Sequence, residues 1–341
     1  MPGLAEIAAA AGVSIATVSR VLNRRPGVNE DTRRRVLTVL AEQPYTRRGA
    51  AALHRTGVVG LLVPELTNPV FPVFAQALEN RAASRGYSSV LCNTESASMR
   101  EEDYVRMLLA RGVEGMVFVS PECTDASASH EHYRQLAEEG VRMVFVNGGP
   151  PSLPVPQVGV DEHAAGYLAT RHLIELGHRR IGFVSGPSRS LPSRLKAGGW
   201  EVALAEAGLP HDRLLVARAA YGPAGGAAAI ARLLDSAPPT AVICSSDMMA
   251  LGAISELRRR GLAVPADISV IGFDDMPLAP YCVPPLTTLA QPIAEIARAA
   301  IDRLLAELED VAGRPPAHTQ VFRPRLVIRD STSPPGTGPS G

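Results

Sequence analysis

GVSIATVSRVLN, residues 12–23, predicts a tight turn followed by an amphipathic helix. Gly12 permits the backbone conformation of the turn, and Ser14 is a favoured N-cap for the helix after it. The alanine-rich residues 4–11 before the turn have the composition of another helix. Two short helices joined by such a turn form a helix-turn-helix.

The helix after the turn has two different faces. Val18, Val21 and Leu22 recur at helical spacing and can pack on Ala8 and Ala11 of the preceding helix. The side chains left facing outward are those of Ile15, Ala16, Ser19, Arg20 and Asn23. An exposed isoleucine at a helix N-terminus indicates a binding partner. The alternative is a solvated helical hairpin without one.

The outward face has the chemistry of a recognition helix, which presents its N-terminal residues to base edges in the DNA major groove. Arg20 can bind guanine O6 and N7 through both ends of its guanidinium group, a contact worth about 1–3 kcal/mol of discrimination. Ile15 and Ala16 can contact a thymine methyl group. The residues predicted to contact DNA are Ser14, Ile15, Ala16, Thr17, Ser19, Arg20, Asn23, Arg24, Asn29 and Leu53.

The charge distribution favours a nucleic-acid partner for the N-terminal part. The chain carries 34 basic and 34 acidic residues, but residues 1–57 hold nine arginines against four acidic residues. Asn29 is a candidate N-cap for a third helix. The apolar stripe of that helix consists of Val36, Leu37 and Leu40. We expect a DNA-binding domain over residues 1–46.

Residues 47–57 form the predicted hinge, which is basic and rich in alanine. It is either a solvated tether or a segment that folds only on DNA and inserts an apolar side chain into the minor groove.

From Val58 onward, apolar runs of strand length alternate with helical stretches, which predicts parallel sheets covered by helices. The predicted strands are 58–63, 89–92, 115–119, 143–146, 181–185, 241–245 and 269–273. The predicted helices lie near 71–85, 100–111, 133–139, 164–176, 195–207, 224–234, 249–260 and 293–308. Two α/β lobes are expected rather than one sheet, with a ligand in the crevice beyond the carboxyl ends of the strands.

Other features narrow the class of protein. The four cysteines are widely spaced without a C-x-x-C pair, which indicates neither disulfides nor a metal site and fits a reducing cytoplasm. No cofactor is expected. Neither a signal peptide nor a membrane span is recognisable. Residues 331–341 are rich in Pro, Gly, Ser and Thr, which predicts a disordered tail.

Enzyme motifs are weak or missing, so we expect no catalytic activity. Residues 193–196, SRLK, match S-x-x-K, but neither S-D-N nor K-T-G accompanies them. No G-x-G-x-x-G follows the first strand, and neither G-x-S-x-G nor a Walker loop occurs. The HEH run at 130–132 lacks further metal ligands and is interpreted as an exposed loop or a helix start.

Over residues 4 to about 329 the chain resembles the LacI/GalR family of bacterial transcription regulators. The stretches that carry the resemblance are AGVSIATVSRVLN (11–23), VPELTNPVF (63–71), ATRHLIELGHRRIGFVSGP (169–187), SDMMALGAISELRRRGLAVPADISVIGFDD (246–275) and PPLTTLAQP (284–292). The resemblance implies a small helix-turn-helix head on a two-lobed core of the type I periplasmic-binding-protein kind, over residues 58–330. It implies lobe 1 at about 58–160 and 291–320, and lobe 2 at about 161–290 and 321–330.

The resemblance also implies a sugar-like effector between the lobes, held by an aspartate and an arginine on opposite walls. Asp274 matches the aspartate, but Lys196 stands where the arginine is expected, with Arg194 two residues earlier. Because lysine is a point charge rather than a planar fork, either the effector is acidic or phosphorylated, or Arg194 takes the role; Lys196 is preferred. Trp200 matches a family aromatic and fits core packing better than a ligand platform. The residues predicted to contact the effector are Asn68, Phe71, Asn147, Asp161, Ser193, Arg194, Lys196, Trp200, Ser246, Asp247, Asp274 and Gln291.

The hinge departs from the family pattern A-R-x-L, whose leucine inserts into the minor groove. The ungapped match puts Ala52 at the arginine and His54 at the leucine, whereas a shift by one residue puts Leu53 at the leucine. The sequence therefore predicts operator binding and leaves operator bending open.

These features predict a DNA-binding transcription regulator in the bacterial cytoplasm, associated with the nucleoid when bound to DNA, and a repressor rather than an activator. Its expected partners are a pseudo-palindromic operator, a small sugar or sugar derivative, and a second copy of the chain in a homodimer. The alternatives are a solute-binding protein, which has the same core, and a regulator without an effector.

Overall fold

The computed structural model describes residues 4–22, 28–42, 56–94, 99–309 and 318–336. Contacts within the chain divide it into two units, Met1–Gly57 and Val58–Gly341, which are described separately below.

The first unit contains three helices, α1 (Leu4–Ala11), α2 (Ile15–Leu22) and α3 (Glu30–Glu42). Gly12 has a φ of 64°, which lets the chain turn sharply between α1 and α2. The Ser14 Oγ accepts a hydrogen bond from the backbone N–H of Thr17 at 3.2 Å, so Ser14 caps α2. The helices are held together by a shared apolar core of Ile7, Ala8, Ala11, Val18, Val21 and Val36.

The predicted apolar stripe of α3 is wrong at Leu37, which is 52% exposed. Leu40 packs on the core as predicted, and Val39 does so in place of Leu37, because Val39 and Leu40 lie three and four residues beyond Val36 on the same helix face. The side chain of Leu22 lies outside the described residues.

The second unit contains two six-stranded sheets, each the centre of one lobe. The sheet of lobe 1 consists of β1 (Val58–Val63), β2 (Ser88–Asn93), β3 (Gly115–Phe118), β4 (Arg142–Val146), β5 (Gln157–Val160) and β11 (Thr319–Phe322). The sheet of lobe 2 consists of β6 (Ile181–Ser185), β7 (Val216–Arg218), β8 (Ala241–Cys244), β9 (Ser269–Asp274), β10 (Thr287–Ala290) and β12 (Arg325–Val327). Their orders are β11-β5-β4-β3-β1-β2 and β12-β10-β9-β8-β6-β7, and every pairing is parallel except that of β12 with β10.

Helices cover these sheets, so the inner strands are buried and almost wholly apolar. The helices of lobe 1 are α4 (Val70–Ser84), α5 (Glu101–Ala110), α6 (Pro121–Thr124), α7 (Glu131–Glu138) and α12 (Ile293–Glu309). Those of lobe 2 are α8 (Glu162–Glu175), α9 (Leu191–Glu206), α10 (Pro223–Ser236) and α11 (Asp247–Arg259). The α/β fold class is therefore confirmed. The strands that the sequence analysis missed, β5, β7, β10, β11 and β12, have only three or four residues each.

The chain passes from one lobe to the other three times, after β5, after β10 and between β11 and β12. Helix α12 packs against β3, β4 and β5, so the segment after the second crossing returns to lobe 1.

Glycines bring the helices of lobe 2 into close contact. A Cβ on Gly166 of α8 would lie 2.0 Å from the carbonyl oxygen of Lys196 in α9. A Cβ on Gly199 of α9 would lie 2.0 Å from the carbonyl oxygen of His163 in α8. The two backbones touch at positions where no larger residue fits.

The predicted disorder of residues 331–341 is wrong for residues 331–336. Ser331 is fully buried, and its Oγ accepts from the backbone N–H of Thr287 at 2.8 Å and donates to the carbonyl oxygen of Val270 at 2.6 Å. The Ser333 carbonyl oxygen lies 2.9 Å from Nε2 of His178. These hydrogen bonds hold the segment against lobe 2, and residues 337–341 lie outside the described part of the chain.

Candidate functional site

The outer face of α2 presents the side chains that the sequence predicts to contact DNA. Ile15 is 49% exposed, and Ala16 and Arg20 are also exposed. Thr17 is half-buried, and its Oγ1 lies 2.9 Å from the Oγ of Ser14. One short helix thus exposes an apolar side chain, a small side chain and a guanidinium group. Groups of these kinds can contact bases in the major groove.

The other predicted DNA contacts have different positions. Asn29 is exposed and caps α3, where its Oδ1 accepts from the backbone N–H of Thr32 at 2.8 Å. Outside the described part of the chain lie the side chain of Ser19 and the residues Asn23, Arg24, Ala52, Leu53 and His54.

In the second unit, a cleft of about 710 Å³ lies between the two lobes and is lined by residues of both. It opens at the carboxyl ends of β1, β4, β6, β8 and β9, which is where open α/β sheets bind ligands. The predicted effector contacts that line it are Asn68, Phe71, Asn147, Lys196, Ser246, Asp274 and Gln291.

Two of these lining residues have strained backbones. Asn147 directly follows β4 with a φ of 62°, and Asp274 ends β9 with a φ of 124°. Such conformations are rare outside glycine and concentrate at binding sites, where the surrounding structure enforces them. They fix one amide and one carboxylate on opposite sides of the cleft.

Asp274 is buried, and its Oδ1 accepts from Nε2 of Gln291 at 2.6 Å. Burial, and secondarily the neighbouring Asp247, raise the pKa of Asp274 well above its usual range. Within the described part of the chain, Oε1 of Gln291 and Oδ1 of Asn147 are buried and have no hydrogen-bond partner. The cleft therefore holds acceptor oxygens that are open to a donor.

Lys196 lies in the cleft but carries a partner of its own. Its Nζ is 2.5 Å from Oε2 of Glu162, and both side chains are about 95% buried. The same Nζ stands 3.8 Å above the centre of the Phe273 ring. Burial raises the pKa of Glu162, and the nearby ammonium opposes that rise. The positive charge is thus already neutralised within the wall.

Five predicted effector contacts lie outside the cleft lining: Asp161, Ser193, Arg194, Trp200 and Asp247. Asp161 caps α8 by accepting from the backbone N–H of Ala164 at 2.8 Å. Arg194 is exposed and does not line the cleft, whereas Lys196 does.

The other three residues that do not line the cleft are buried in lobe 2. Trp200 is 1% exposed and donates from Nε1 to the Ile181 carbonyl oxygen at 3.2 Å, so it belongs to the core. Ser193 is buried, with its Oγ 2.6 Å from the Tyr221 hydroxyl. Asp247 is fully buried behind the cleft wall and accepts from the Thr288 hydroxyl at 2.5 Å.

Several residues that line the cleft were not predicted from the sequence: Glu65, Phe74, Glu122, Asp125, Glu162, Arg189, Tyr221 and Phe273. Glu162 follows β5, a strand of only four residues that carries too little pattern to be recognised in the sequence. For Asp125 and Arg189 the sequence holds no signal, because they meet only through the fold.

Asp125 and Arg189 join the lobes across the mouth of the cleft. Nε of Arg189 lies 2.8 Å from Oδ2 of Asp125, and the Arg189 carbonyl oxygen accepts from the backbone N–H of Ala126 at 2.8 Å. An isolated β-bridge between Asp125 and Ser190 adds to this contact. Lobe 1 supplies Asp125 and lobe 2 supplies Arg189, so we call this set the Asp125–Arg189 latch.

The interpretation of residues 130–132 needs correction. Helix α7 begins at Glu131, as one alternative had it, but His132 is half-buried rather than in an exposed loop. Its Nε2 is 3.7 Å from Oε1 of Glu101, and Glu122 lies close by. Two acidic side chains, those of Glu101 and Glu122, therefore lie beside this run, which the sequence did not indicate.

No helix in the described part of the chain combines the length and the apolar character needed to span a membrane.

Comparison with known proteins agrees with both the helix-turn-helix unit and the two-lobed unit. Residues 3–48 match the profile described as bacterial regulatory proteins, lacI family, and residues 170–332 match that of a periplasmic binding protein-like domain. Over 337 residues, the chain is 45% identical to an uncharacterised HTH-type transcriptional regulator in the aml 5′ region of Streptomyces limosus, covering 98% of this chain and 95% of the relative.

Two solved structures of full length have the same fold. One is a complex of the transcriptional regulator CelR with cellobiose, with a TM-score of 0.72 at 31% identity over 97% of this chain and 100% of that one. The other is the lac repressor dimer bound to operator and the anti-inducer ONPF, with a TM-score of 0.70 at 28% identity over 97% of this chain and 99% of that one. Because similarity to regulators runs through head and core alike, the solute-binding alternative is set aside, and the chain belongs to the LacI family of helix-turn-helix transcriptional regulators.

Proposed function

We propose that this regulator is a repressor whose operator affinity is controlled by a neutral, polyhydroxylated effector bound between its lobes. The observation that carries the proposal is the composition of the cleft wall. Its buried cation is paired with Glu162, whereas Asn147 and Gln291 leave buried acceptor oxygens without partners in the described part of the chain.

Sugar hydroxyl groups suit these acceptors, because each hydroxyl can donate one hydrogen bond and accept others. The cleft lining in the described residues also holds five carboxylates, those of Glu65, Glu122, Asp125, Glu162 and Asp274, against two cations, Lys196 and Arg189. An anionic ligand would gain little attraction from this lining and would have to displace Glu162 from Lys196. Of the alternatives that the sequence leaves open, the neutral effector is therefore favoured over an acidic or phosphorylated one. CelR, which binds cellobiose in its solved complex, is similar to this chain over 97% of its length.

The effector test is a thermal-shift measurement on the full chain with cellobiose and other neutral sugars, alongside the corresponding sugar acids and sugar phosphates. A neutral sugar at 100 times its Kd should stabilise the folded state by about 2.7 kcal/mol. The variant Asp274→Asn should lose most of that shift while keeping its operator affinity. Stabilisation by acidic ligands alone would contradict the proposal, and no stabilisation across the panel would favour a regulator without an effector.

DNA recognition is proposed to depend on Arg20, together with Ile15 and Ala16 on the exposed face of α2. Arg20→Ala should weaken operator binding by about 1–3 kcal/mol. Binding to random DNA should change much less, because phosphate contacts dominate there. The measurement is fluorescence anisotropy on operator and scrambled duplexes at one salt concentration, with Arg35→Ala of α3 as a charge-matched control. An equal loss on both duplexes would remove Arg20 from base recognition.

Coupling between the two sites requires an effector that binds the DNA-competent and DNA-incompetent arrangements of the core with different affinity. The three interlobe crossings supply a hinge, and the Asp125–Arg189 latch is a further contact between the lobes. We propose that effector binding favours the latched arrangement. By reciprocity, a ligand that weakens operator binding is itself bound more weakly when operator is present.

The active form is proposed to be a homodimer in the bacterial cytoplasm that binds a pseudo-palindromic operator. A two-fold operator matches a protein with two heads related by two-fold symmetry. An exposed apolar segment in lobe 2, formed by Leu278, Tyr281 and Val283, supports self-association, because such patches are rare on monomers.

A further inference from the structure

A cluster of three potential ligands lies in lobe 1, and of its members only Glu122 lines the cleft described above. Glu101 begins α5, Glu122 lies in α6 and His132 is in the first turn of α7. One carboxylate oxygen from each glutamate and one imidazole nitrogen all lie within 4.8 Å of one another. Three segments separate in sequence thus bring two carboxylates and an imidazole to one point.

The polar atoms of this cluster are not satisfied by the protein. The Glu101 side chain is 2% exposed, and its Oε2 has no hydrogen-bond partner within the described part of the chain. Nε2 of His132 is also buried and without a hydrogen bond there. A buried carboxylate oxygen without a partner costs free energy, so its retention here calls for a ligand.

The surroundings hold the cluster rigidly. The Tyr133 hydroxyl donates to Oε1 of Glu101, and the Tyr133 ring packs edge-on against Phe118 and Phe145. His130 contacts the Glu122 carbonyl oxygen through Nε2 at 3.2 Å. Contacts of this kind, which orient the ligating groups, are typical of protein metal sites.

The donor chemistry points to a class of metal ion. Carboxylate oxygens together with an imidazole suit zinc and other divalent first-row metals, and three protein ligands leave a further position on the ion open. Cys123 does not join them, because its Sγ donates to the carbonyl oxygens of Ser120 at 3.0 Å and Gly148 at 3.4 Å.

Without a cation, the negative charges of the two glutamates would repel each other. An oxygen of Glu122 lies within 4.8 Å of an oxygen of Glu101, so two carboxylates are in close proximity. A divalent cation would neutralise both and would satisfy the unpaired atoms as well.

We propose that Glu101, Glu122 and His132 form a binding site for a divalent transition metal ion in the lobe 1 wall of the interlobe cleft. Glu122 also lines that cleft, so the metal would change the charge that an effector meets there. Metal binding at this site can be tested without knowing the effector.

The test is isothermal titration of the full chain with Zn²⁺ alone, after removal of metals with a chelator. We expect one Zn²⁺ per chain, and a loss of at least about tenfold in affinity for His132→Gln and for Glu122→Gln, the lower limit seen when a metal site loses a supporting contact. His163→Gln, which changes an exposed histidine in lobe 2, is the control and should bind like the wild type. Circular dichroism checks that each variant is folded.

A second measurement keeps the proposal testable if a variant binds too weakly for calorimetry. Zn²⁺ should raise the thermal midpoint of the wild type and of His163→Gln, but not that of His132→Gln. The proposal is overturned if Zn²⁺ neither binds nor stabilises the wild type, or if His132→Gln and Glu122→Gln bind it as tightly as the wild type does. In the second case the metal binds elsewhere on the surface.

Discussion

At the scale of single residues, a side chain's role in this core is set by what it meets across the fold. Lys196 stands where a family pattern places an arginine, which left an acidic or phosphorylated effector as one of the alternatives. Glu162 of α8 lies beside Lys196 and pairs with its ammonium group, so the lysine is no longer a reason to expect a charged effector. The roles of Asp247 and Asp274 also depend on the fold. Asp247 comes shortly after β8 and Asp274 ends β9, but only Asp274 lines the cleft.

The buried carboxyl group of Asp247 leads to a prediction about how the free energy of unfolding depends on pH. Burial raises its pKa to about 6, and its oxygens accept from the Thr288 hydroxyl and the Met276 backbone N–H. Because the folded state holds this proton more tightly than the unfolded state does, the free energy of unfolding should fall as pH rises from about 4 to about 6, by about 2–3 kcal/mol. Urea denaturation at a series of pH values measures this fall.

The control for this prediction is Asp247→Asn, which keeps an acceptor for Met276 and meets Thr288, whose hydroxyl can rotate to accept. Its stability should change less with pH over the same interval, although Glu162 and Asp274, whose pKa values are also raised, still contribute. Equal pH dependence in the wild type and the variant would show that Asp247 is not the titrating group.

At the scale of elements, glycines set the distance between the paired helices of lobe 2. The α8–α9 contact depends on Gly166 and Gly199, and the α10–α11 contact has a similar pair in Gly226 and Gly252, where a Cβ would lie 2.0 and 1.8 Å from backbone oxygens. No rearrangement of a flexible side chain can relieve these clashes, because the obstructing atoms belong to the backbone.

Neighbouring glycines of α9 give a matched test. Gly199→Ala should lower the free energy of unfolding by about 1–3 kcal/mol or more, because it forces α8 and α9 apart. Gly198→Ala meets only a side-chain carbon of His163 at 3.5 Å and should raise that free energy by about 0.5–1 kcal/mol through helix propensity. Urea midpoints measure both changes, and two variants of equal stability would rule out the proposed close contact.

Long, strongly patterned elements could be predicted from sequence, whereas short ones and their consequences could not. The hydrophobic runs of β1 and β6 are visible in the sequence because buried parallel strands are continuously apolar. The four-residue β5 carries too little pattern, and with it Glu162 was missed. The order of residues 331–336 also escaped prediction, because serine and threonine form their hydrogen bonds there to distant strands.

At the scale of the whole molecule, the proposed homodimer has a direct test. Tyr281 is 81% exposed and Val283 is 74% exposed, next to Leu278 at 53%. We expect sedimentation equilibrium to give a dimer for the full chain and a shift toward monomer for the double variant Tyr281→Asp/Val283→Asp, because a charge in an apolar interface is costly.

Leu214→Asp serves as the control for this experiment, because Leu214 is 61% exposed elsewhere in lobe 2. It should remain a dimer. A wild type that is monomeric at micromolar concentration, or a double variant that still dimerises fully, would exclude this surface as the interface.

One consequence of the cleft wall concerns chemical labelling. Lys196 is the only lysine of the chain, so its ammonium is the only side-chain amine that acylating reagents can modify. It is 95% buried between the lobes and held by Glu162, which protects it while the cleft is closed. Modification at this position would therefore report how often the two lobes separate, and the protein carries an intrinsic single-site probe of its own opening.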